Sequence, residues 1–65
     1  MSDPCDQFTV GDVLPGGAVI VRIEHGKVYV GGLYIAGAPI EAGFDCSQFF
    51  TGFYSLLDLL GIPHP

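Results

Sequence analysis

Basic side chains are nearly absent from this sequence, in which Arg22 and Lys27 stand against seven acidic residues. The resulting net charge is −5 at pH 7. Proteins that bind nucleic acid neutralise its phosphates with clustered lysine and arginine side chains, and this chain contains no such cluster. An anionic membrane surface would repel the chain for the same reason. We therefore expect no nucleic acid and no membrane among its partners.

Charged residues of either sign are scarce, at 14% of the chain, whereas hydrophobic residues make up 49%. Ordinary soluble domains contain roughly 25% charged residues. A chain of 65 residues forms one domain at most and buries only about 60% of the surface that its unfolded form exposes. Some apolar side chains must therefore stay exposed on an isolated monomer, and exposed apolar patches usually mark contacts. The expected partners are other copies of the chain or a larger protein assembly.

The sequence also lacks a hydrophobic run of membrane-spanning length. The longest strongly apolar segment, Phe49–Leu60, is 12 residues long, and as a helix it would reach about 18 Å of the roughly 30 Å hydrocarbon layer. Residues 1–7 carry polar and acidic side chains where a signal peptide has a basic and an apolar stretch. The sequence therefore predicts a soluble protein, located in a virion or in the cytoplasm.

No motif for catalysis or cofactor binding is present. The glycine-rich stretches Pro15–Gly17 and Gly31–Gly32 lack the Lys-Ser/Thr pair and the strand-to-helix context of a phosphate loop. No predicted helix carries paired carboxylates, and no serine lies near a histidine in the sequence. We expect neither an enzyme nor a cofactor.

Two cysteines, Cys5 and Cys46, leave several interpretations open. They are independent thiols, or they form a disulfide that ties the amino terminus to the helix or links subunits. A catalytic cysteine would need His25 or His64 as its base, and neither is placed for that role. The same four residues would supply a zinc site, but their wide spacing differs from the closely paired ligands of structural zinc sites. No metal site is therefore expected.

The middle of the chain predicts an antiparallel meander. Three runs rich in β-branched and aromatic residues are separated by His25-Gly26 and Gly31-Gly32, and both dipeptides suit two-residue hairpin turns. The predicted strands are Ala18–Glu24, Lys27–Gly31 and Leu33–Ile35. Phe8–Val10 is a candidate for a short fourth strand.

Two-residue turns set the pairing of these strands, with Val21 opposite Val30 and Tyr29 opposite Tyr34. The inner face of the sheet then collects Val19, Val21, Ile23, Val28, Val30, Leu33 and Ile35. The outer face includes Ile20, Arg22, Tyr29 and Tyr34, together with Glu24 and Lys27. Exposed tyrosines beside an arginine are typical of a protein-binding hot spot, so the first four are candidate protein-binding residues. The alternative is ordinary cross-strand stabilisation, in which the arginine lies over a ring.

The carboxy-terminal segment predicts an amphipathic helix that begins at Asp45, with Gln48 completing a capping box, and ends at Gly61. Its apolar face is wider than one neighbouring surface requires. That face consists of Phe49, Phe53, Leu56, Leu57 and Leu60, widened by Phe50, Tyr54 and Leu59. We therefore expect the helix to pack on the sheet and to touch a second surface. The candidate residues for that second contact are Phe50, Tyr54 and Gly52, where a helical glycine indicates close approach by another backbone.

One stretch resembles a known family. Residues 10–23, with their Leu-Pro-Gly-Gly turn and alternating aliphatic residues, are followed by the strand-like segment Lys27–Val30. Together they resemble the opening half of the small β-domain found in type II secretion C-proteins and type IV pilus lipoproteins. The resemblance implies β-structure for these residues. The carboxy-terminal helix departs from the family pattern, and no site residue is taken from it.

The sequence thus predicts a single α+β domain over residues 1–65. Its parts are a mobile amino-terminal arm at 1–6, a meander at 7–36, a loop at 37–44, a helix at 45–61 and a tail at 62–65. The predicted function is that of a non-enzymatic structural or assembly protein, such as a virion cement, capsid or tail component present in many copies. The alternative is a small inhibitor or regulator, encoded by a phage or mobile element, that binds one host protein.

Overall fold

A three-stranded antiparallel sheet followed by a carboxy-terminal helix makes up the chain, and the computed structural model describes residues 3–65. The strands are β1 Val19–Glu24, β2 Lys27–Ile35 and β3 Ala38–Asp45, and the helix is α1 Phe49–Leu60. Short 3₁₀ turns lie at Pro4–Gln7, Pro15–Gly17 and Cys46–Gln48. The sheet order is β1-β2-β3. The predicted α+β class is confirmed, and residues 1–2 of the predicted arm lie outside the described residues.

Both hairpins close through two-residue turns in which each central residue has a positive φ. His25 and Gly26 have φ values of 52° and 74°, and Ala36 and Gly37 have values of 51° and 80°. This is the pattern of a type I′ turn, whose twist matches that of the flanking strands. The first turn lies where the sequence predicted it, whereas the second lies five residues beyond the predicted Gly31-Gly32 turn.

Gly31 and Gly32 form a bulge inside β2 instead of a hairpin turn. Gly32 has a φ of 84°, and a β-carbon there would lie 2.9 Å from the carbonyl oxygen of Gly17. The glycine is therefore needed where the Pro15–Gly17 turn crosses the strand. The predicted third strand, Leu33–Ile35, was wrong: these residues continue β2. The predicted loop at 37–44 was also wrong, because residues 38–45 form β3.

A second irregularity, in β1, changes which side chains face the core. Ile20 lies opposite Val30 and Arg22 opposite Tyr29, so Val21 is the extra residue between them. Ile20 is 1% exposed and Val21 is 45% exposed. The predicted faces of both residues were wrong, because the bulge shifts the alternation of side chains between the two sheet faces by one residue.

The amino-terminal segment runs alongside β1. Phe8–Val10 is not a strand: the N–H of Phe8 donates to the carbonyl of Cys5 and ends the first 3₁₀ turn. The next residues do bond to β1, since Gly11 N–H donates to Ile20 O at 2.8 Å and Ile20 N–H donates to Asp12 O at 3.0 Å. These bonds cover part of the outer edge of β1.

Helix α1 begins at Phe49, four residues after the predicted start at Asp45, and ends at the Gly61 cap as predicted. Asp45 and Gln48 make no side-chain capping bond, so the expected capping box is absent, and a 3₁₀ turn occupies Cys46–Gln48 instead. At the other end Gly61 adopts a left-handed conformation with a φ of 73°. Its N–H bonds to the carbonyls of Leu57 and Asp58. A glycine cap of this kind terminates the helix at little steric cost.

The core lies between the inner face of the sheet and one side of α1. Its buried members are Phe8, Ala18, Ile20, Val28, Val30, Leu33, Cys46, Phe49, Phe53 and Leu57. Five come from the sheet or from the residue just before β1, and three come from the helix. The rings of Phe49 and Phe53 stack with centroids 5.3 Å apart. Burying side chains of this size stabilises the fold by about 1.5–3 kcal/mol each.

The amino-terminal segment also covers a flank of the helix, where the sequence predicted contact with a second surface. Leu57 is 0% exposed, and a β-carbon at Gly16 would lie 3.3 Å from its Cδ2 atom. Phe8 packs on Phe49 with ring centroids 4.7 Å apart. The helix therefore does meet a second surface on this flank, and that surface belongs to the same chain.

Candidate protein-binding surfaces

Cys5 and Cys46 form a disulfide within the chain, with their α-carbons 5.0 Å apart. The bond joins the first 3₁₀ turn to the turn that precedes α1, and Cys46 is 3% exposed. The predicted mobile arm is thus anchored at Cys5. Bonded sulfurs act neither as a nucleophile nor as metal ligands. Among residues 3–65, no three His, Cys, Asp or Glu side chains are grouped as a metal site would require.

The outer face of the sheet is organised around Arg22. Its guanidinium carbon lies 4.1 Å from the ring centroid of Tyr29 on the neighbouring strand. Its nitrogens also approach Glu24 at 3.4 Å and Glu41 at 3.5 Å. The arginine therefore bridges all three strands, through one cation–π contact and two ion pairs. This arrangement favours the cross-strand interpretation for Arg22 and Tyr29.

Tyr29 also lies over Gly43 of β3, where a β-carbon would approach the ring to 2.7 Å. An aromatic ring over a strand glycine compensates for the missing side chain. Tyr34 does not pair with Tyr29, because both lie on β2, and its partner is Pro39. Tyr34 is 63% exposed near the Ala36-Gly37 turn. The structure thus brings together two of the four predicted sheet residues, places Tyr34 at the far end of the hairpin, and buries Ile20.

The three predicted helix residues have neighbours within the chain. A β-carbon on Gly52 would lie 2.7 Å from Cδ1 of Phe44, so the close approach is made by a ring of β3 and not by another backbone. Phe50 is 45% exposed, beside Phe8. Tyr54 stacks on His64 with ring centroids 4.5 Å apart. Binding of a partner by Phe50 or Tyr54 stays a prediction.

The tail is attached to α1 through His64. Its Nδ1 lies 2.9 Å from the carbonyl oxygen of Pro65, and its Nε2 lies 2.8 Å from Oδ1 of Asp58. These two hydrogen bonds raise the pKa of His64 above its ordinary value, the bond to Pro65 being the larger cause. The reason is that only the protonated ring donates from both nitrogens at once.

A cleft of about 330 Å³ lies where β3 meets the start of the helix. Its lining is Lys27, Gly43, Phe44, Asp45, Gln48, Thr51, Gly52 and Ser55. The helix contributes small side chains, and the ring of Phe44 forms the apolar floor beside Gly52. The helical glycine was the one sign of this cleft in the sequence, and the cleft itself was not predicted because no strand was expected opposite the helix here.

Strand β3 forms an open edge of the sheet beside this cleft. The N–H of Cys46 donates to Gly26 O at 2.9 Å. Because backbone groups alternate in direction along a strand, every second residue before Cys46 also directs its N–H and C=O towards β2. The residues between them, Glu41, Gly43 and Asp45, point theirs away from the sheet. Within the described residues β3 pairs with β2 alone. Unpaired N–H and C=O groups of this kind are a ready template for another strand.

Comparison with protein-family models, with curated proteins and with solved structures gave no match. In residues 3–65 no helix is both long enough and apolar enough to cross a membrane.

Proposed function

We propose that this chain is a non-enzymatic protein that acts through protein–protein contacts, as one subunit among many in a larger assembly such as a virion cement or tail component. The observation that carries the proposal is a closed core combined with large apolar side chains outside it. Those exposed side chains are Val10, Val13, Val21, Tyr34, Ile35, Phe50 and Leu59. Apolar side chains that stay in water do not stabilise a domain this small, whereas contacts between subunits would bury them and stabilise the assembly.

The shape of the molecule also supports an assembly role. Its principal extents are 40 × 20 × 16 Å, and exposed apolar residues lie at separated places on it. Tyr34 and Ile35 lie beside the turn between β2 and β3, whereas Leu59, 84% exposed, lies in the last turn of α1. Separated apolar patches allow each copy to contact more than one neighbour, which is what an extended assembly requires.

The intramolecular disulfide supports a setting outside the reducing cytoplasm, which suits a particle or a secreted factor. Because the bond links the amino terminus to the start of α1, the folded monomer does not depend on a neighbour for its staple. The chain would then present preformed surfaces to its partners.

Sedimentation velocity of the oxidised chain at increasing concentration tests the proposal. We expect concentration-dependent association, and Tyr34→Ser or Leu59→Ser should weaken it while leaving the circular dichroism spectrum unchanged. Gln7→Ala, at an exposed polar position, is the matched control and should change nothing. A monomer at all concentrations, unaffected by either variant, would contradict assembly through these residues.

The second candidate is a monomeric inhibitor or regulator of one protein. The observation that favours it is the charge pattern of the β3 edge. If two copies paired antiparallel about Gly43, Glu41 of each would face Asp45 of the other, and like charges directly opposite destabilise a strand pair. That edge therefore suits a different chain better than a second copy.

A further inference from the structure

We infer that residues 3–10 form a redox-operated strap, which the Cys5–Cys46 disulfide holds across one flank of α1 and which is released when a dithiol reduces that bond. The inference goes beyond the proposed function, because it concerns a closing device within the chain and holds whether or not copies associate. It depends on three features of the strap: its hydrogen bonds, its two inward-facing side chains and the glycine at its base.

Within the described residues, no hydrogen bond joins the start of the strap to the rest of the chain. Residues 3–8 make all of their hydrogen bonds with one another, through the 3₁₀ turn Pro4–Gln7 and its Asp3 cap. The first backbone bond that reaches the sheet comes later, from Gly11 N–H to Ile20 O at 2.8 Å. The ion pairs of the described residues also lie outside residues 3–8. The turn can therefore leave the body of the fold without breaking a hydrogen bond.

Two side chains of the strap face the rest of the protein. Phe8 is 9% exposed and packs on the rings of Phe49 and Phe50, with centroids 4.7 and 5.9 Å away. The sulfur of Cys5 is bonded to that of Cys46. The other residues of the strap are exposed. Because fixing the whole strap costs more conformational entropy than one buried ring offsets, the disulfide is what keeps the strap closed.

The base of the strap is Gly11, which has a φ of 96° and no atom within 4 Å of the position that a β-carbon would occupy. Glycine adopts this left-handed conformation, and leaves it, at little steric cost. Beyond Gly11 the chain is fixed to the sheet, since Ile20 N–H donates to Asp12 O at 3.0 Å and Val13 forms a bridge with Val19. A released strap would therefore pivot at Gly11 and leave the sheet and α1 in place.

The exposure of the two cysteines decides where a reductant enters. Cys46 is 3% exposed, whereas Cys5 is partly exposed in the first turn. A thiolate of an external dithiol therefore attacks the Cys5 sulfur, and Cys46 leaves with the bonding electron pair and takes up a proton. The second thiol of the reductant then displaces Cys5, which is protonated in turn, so that the protein disulfide is reduced to two thiols and the dithiol is oxidised to a disulfide. A small-molecule disulfide closes the strap by the reverse exchange, in which it is itself reduced to two thiols.

Limited digestion with chymotrypsin, which cleaves after aromatic residues, tests the release. Cleavage after Phe8 reports the strap, and cleavage after Phe53, which is 0% exposed, reports opening of the whole fold. In dithiothreitol we expect cleavage after Phe8 to be roughly tenfold faster than in the oxidised chain, and faster than cleavage after Phe53. Oxidised glutathione should restore the resistance. Products are measured by mass spectrometry after quenching and full reduction, so that a fragment held by the disulfide is also counted.

Cys5→Ser is the matched control, because it opens the strap without a reductant. Its rate of cleavage after Phe8 should equal that of the reduced native chain and should not respond to dithiothreitol. The circular dichroism spectrum of both open chains should retain the sheet and helix signals, since the body of the fold keeps its hydrogen bonds.

Two results would overturn the inference. Continued resistance at Phe8 in the reduced chain or in Cys5→Ser would mean that the strap stays closed without the bond. Equally fast cleavage after Phe8 and Phe53 in either chain, with loss of the circular dichroism signal, would mean that the whole fold opens instead of the strap. Neither result bears on the proposed function, which sedimentation of the oxidised chain tests separately.

Discussion

The ring of Phe44 lies so close to the α-carbon of Gly52 that a β-carbon there would be 2.7 Å from Cδ1 and 3.3 Å from Cε1. Phe44 also makes edge contacts with the rings of Phe49 and Phe53, at centroid distances of 5.7 and 6.2 Å. The ring is therefore held on two sides and has little room to move. Gly52 is required by a contact between β3 and α1, and the cleft next to it depends on the same contact.

Gly52→Ala tests this contact against helix propensity. Alanine would stabilise an exposed helix by about 1 kcal/mol relative to glycine, whereas overpacking against a held ring costs about 1–3 kcal/mol. We expect a net loss of about 1 kcal/mol in the free energy of unfolding, measured by urea denaturation. In a Phe44→Val background, which lacks the δ and ε atoms, the sign should reverse. If Gly52→Ala stabilised the protein in the native background, the ring of Phe44 would have to move aside at little cost.

Ile20 and Val21 provide a second test, because they are adjacent β-branched aliphatic residues that differ in burial. Ile20→Asp would place an unpaired charge in the core at a cost of several kcal/mol, and we expect it to prevent folding. Val21→Asp, on the bulge and 45% exposed, should cost less than about 1 kcal/mol. Circular dichroism and thermal melts distinguish the two. A folded Ile20→Asp beside an unfolded Val21→Asp would contradict the β1 bulge.

The disulfide should supply a large part of the stability of this small domain. Cys5 and Cys46 are 41 residues apart, and a closed loop of that length lowers the entropy of the unfolded chain by the equivalent of about 4 kcal/mol. We expect dithiothreitol to reduce the free energy of unfolding by about that amount. The double variant Cys5→Ser/Cys46→Ala is the control, and its urea midpoint should not respond to dithiothreitol. If dithiothreitol also left the urea midpoint of the native chain unchanged, the disulfide would not stabilise the fold.

The attachment of the tail should depend on pH. The pKa of His64 is raised in the folded chain by hydrogen bonds to Pro65 and Asp58. The interaction is therefore fully present below the unfolded pKa of about 6.5 and is lost as the pH rises through the higher folded value. NMR titration of His64, with the Tyr54 ring protons as a reporter of stacking, measures this.

Asp58→Asn supplies the control for the tail. Removing the carboxylate should lower the pKa of His64 without returning it fully to its ordinary value, since the bond to Pro65 remains. An unchanged His64 pKa in this variant would contradict the Asp58 contact. Because the site is close to solvent, we expect the overall urea midpoint to change little.

The first hairpin was predictable because its signals are local. A glycine in the turn, β-branched residues on both sides and a two-residue loop fix the pairing of Glu24 with Lys27 without reference to the rest of the chain. The Gly61 cap was predictable for the same reason, since a left-handed residue at a helix end depends only on its neighbours in sequence. The α+β class follows from these two kinds of local signal.

Strand β3 was not predictable in this way. Its residues include Pro39, Gly43 and two acids, a composition typical of loops, and it is a strand because β2 extends past a bulge and offers it a partner. The cleft between β3 and α1 depends entirely on β3, so local sequence patterns could not locate it. The signal that pointed nearest to it was Gly52, which requires a close neighbour without naming one.

The sequence by itself determined the acidic charge, the apolar excess, the first turn and the end of the helix, because composition and short-range sterics need no tertiary partner. Only the tertiary structure decided that Gly32 lies at a bulge inside a strand instead of at its end. The reason is a contact distant in sequence: the carbonyl oxygen of Gly17 lies 2.9 Å from the position that a β-carbon on Gly32 would occupy. Likewise, only folding brings Cys5 to Cys46 and leaves the edge of β3 open. Contacts between residues distant in sequence arise from packing that a local pattern does not encode.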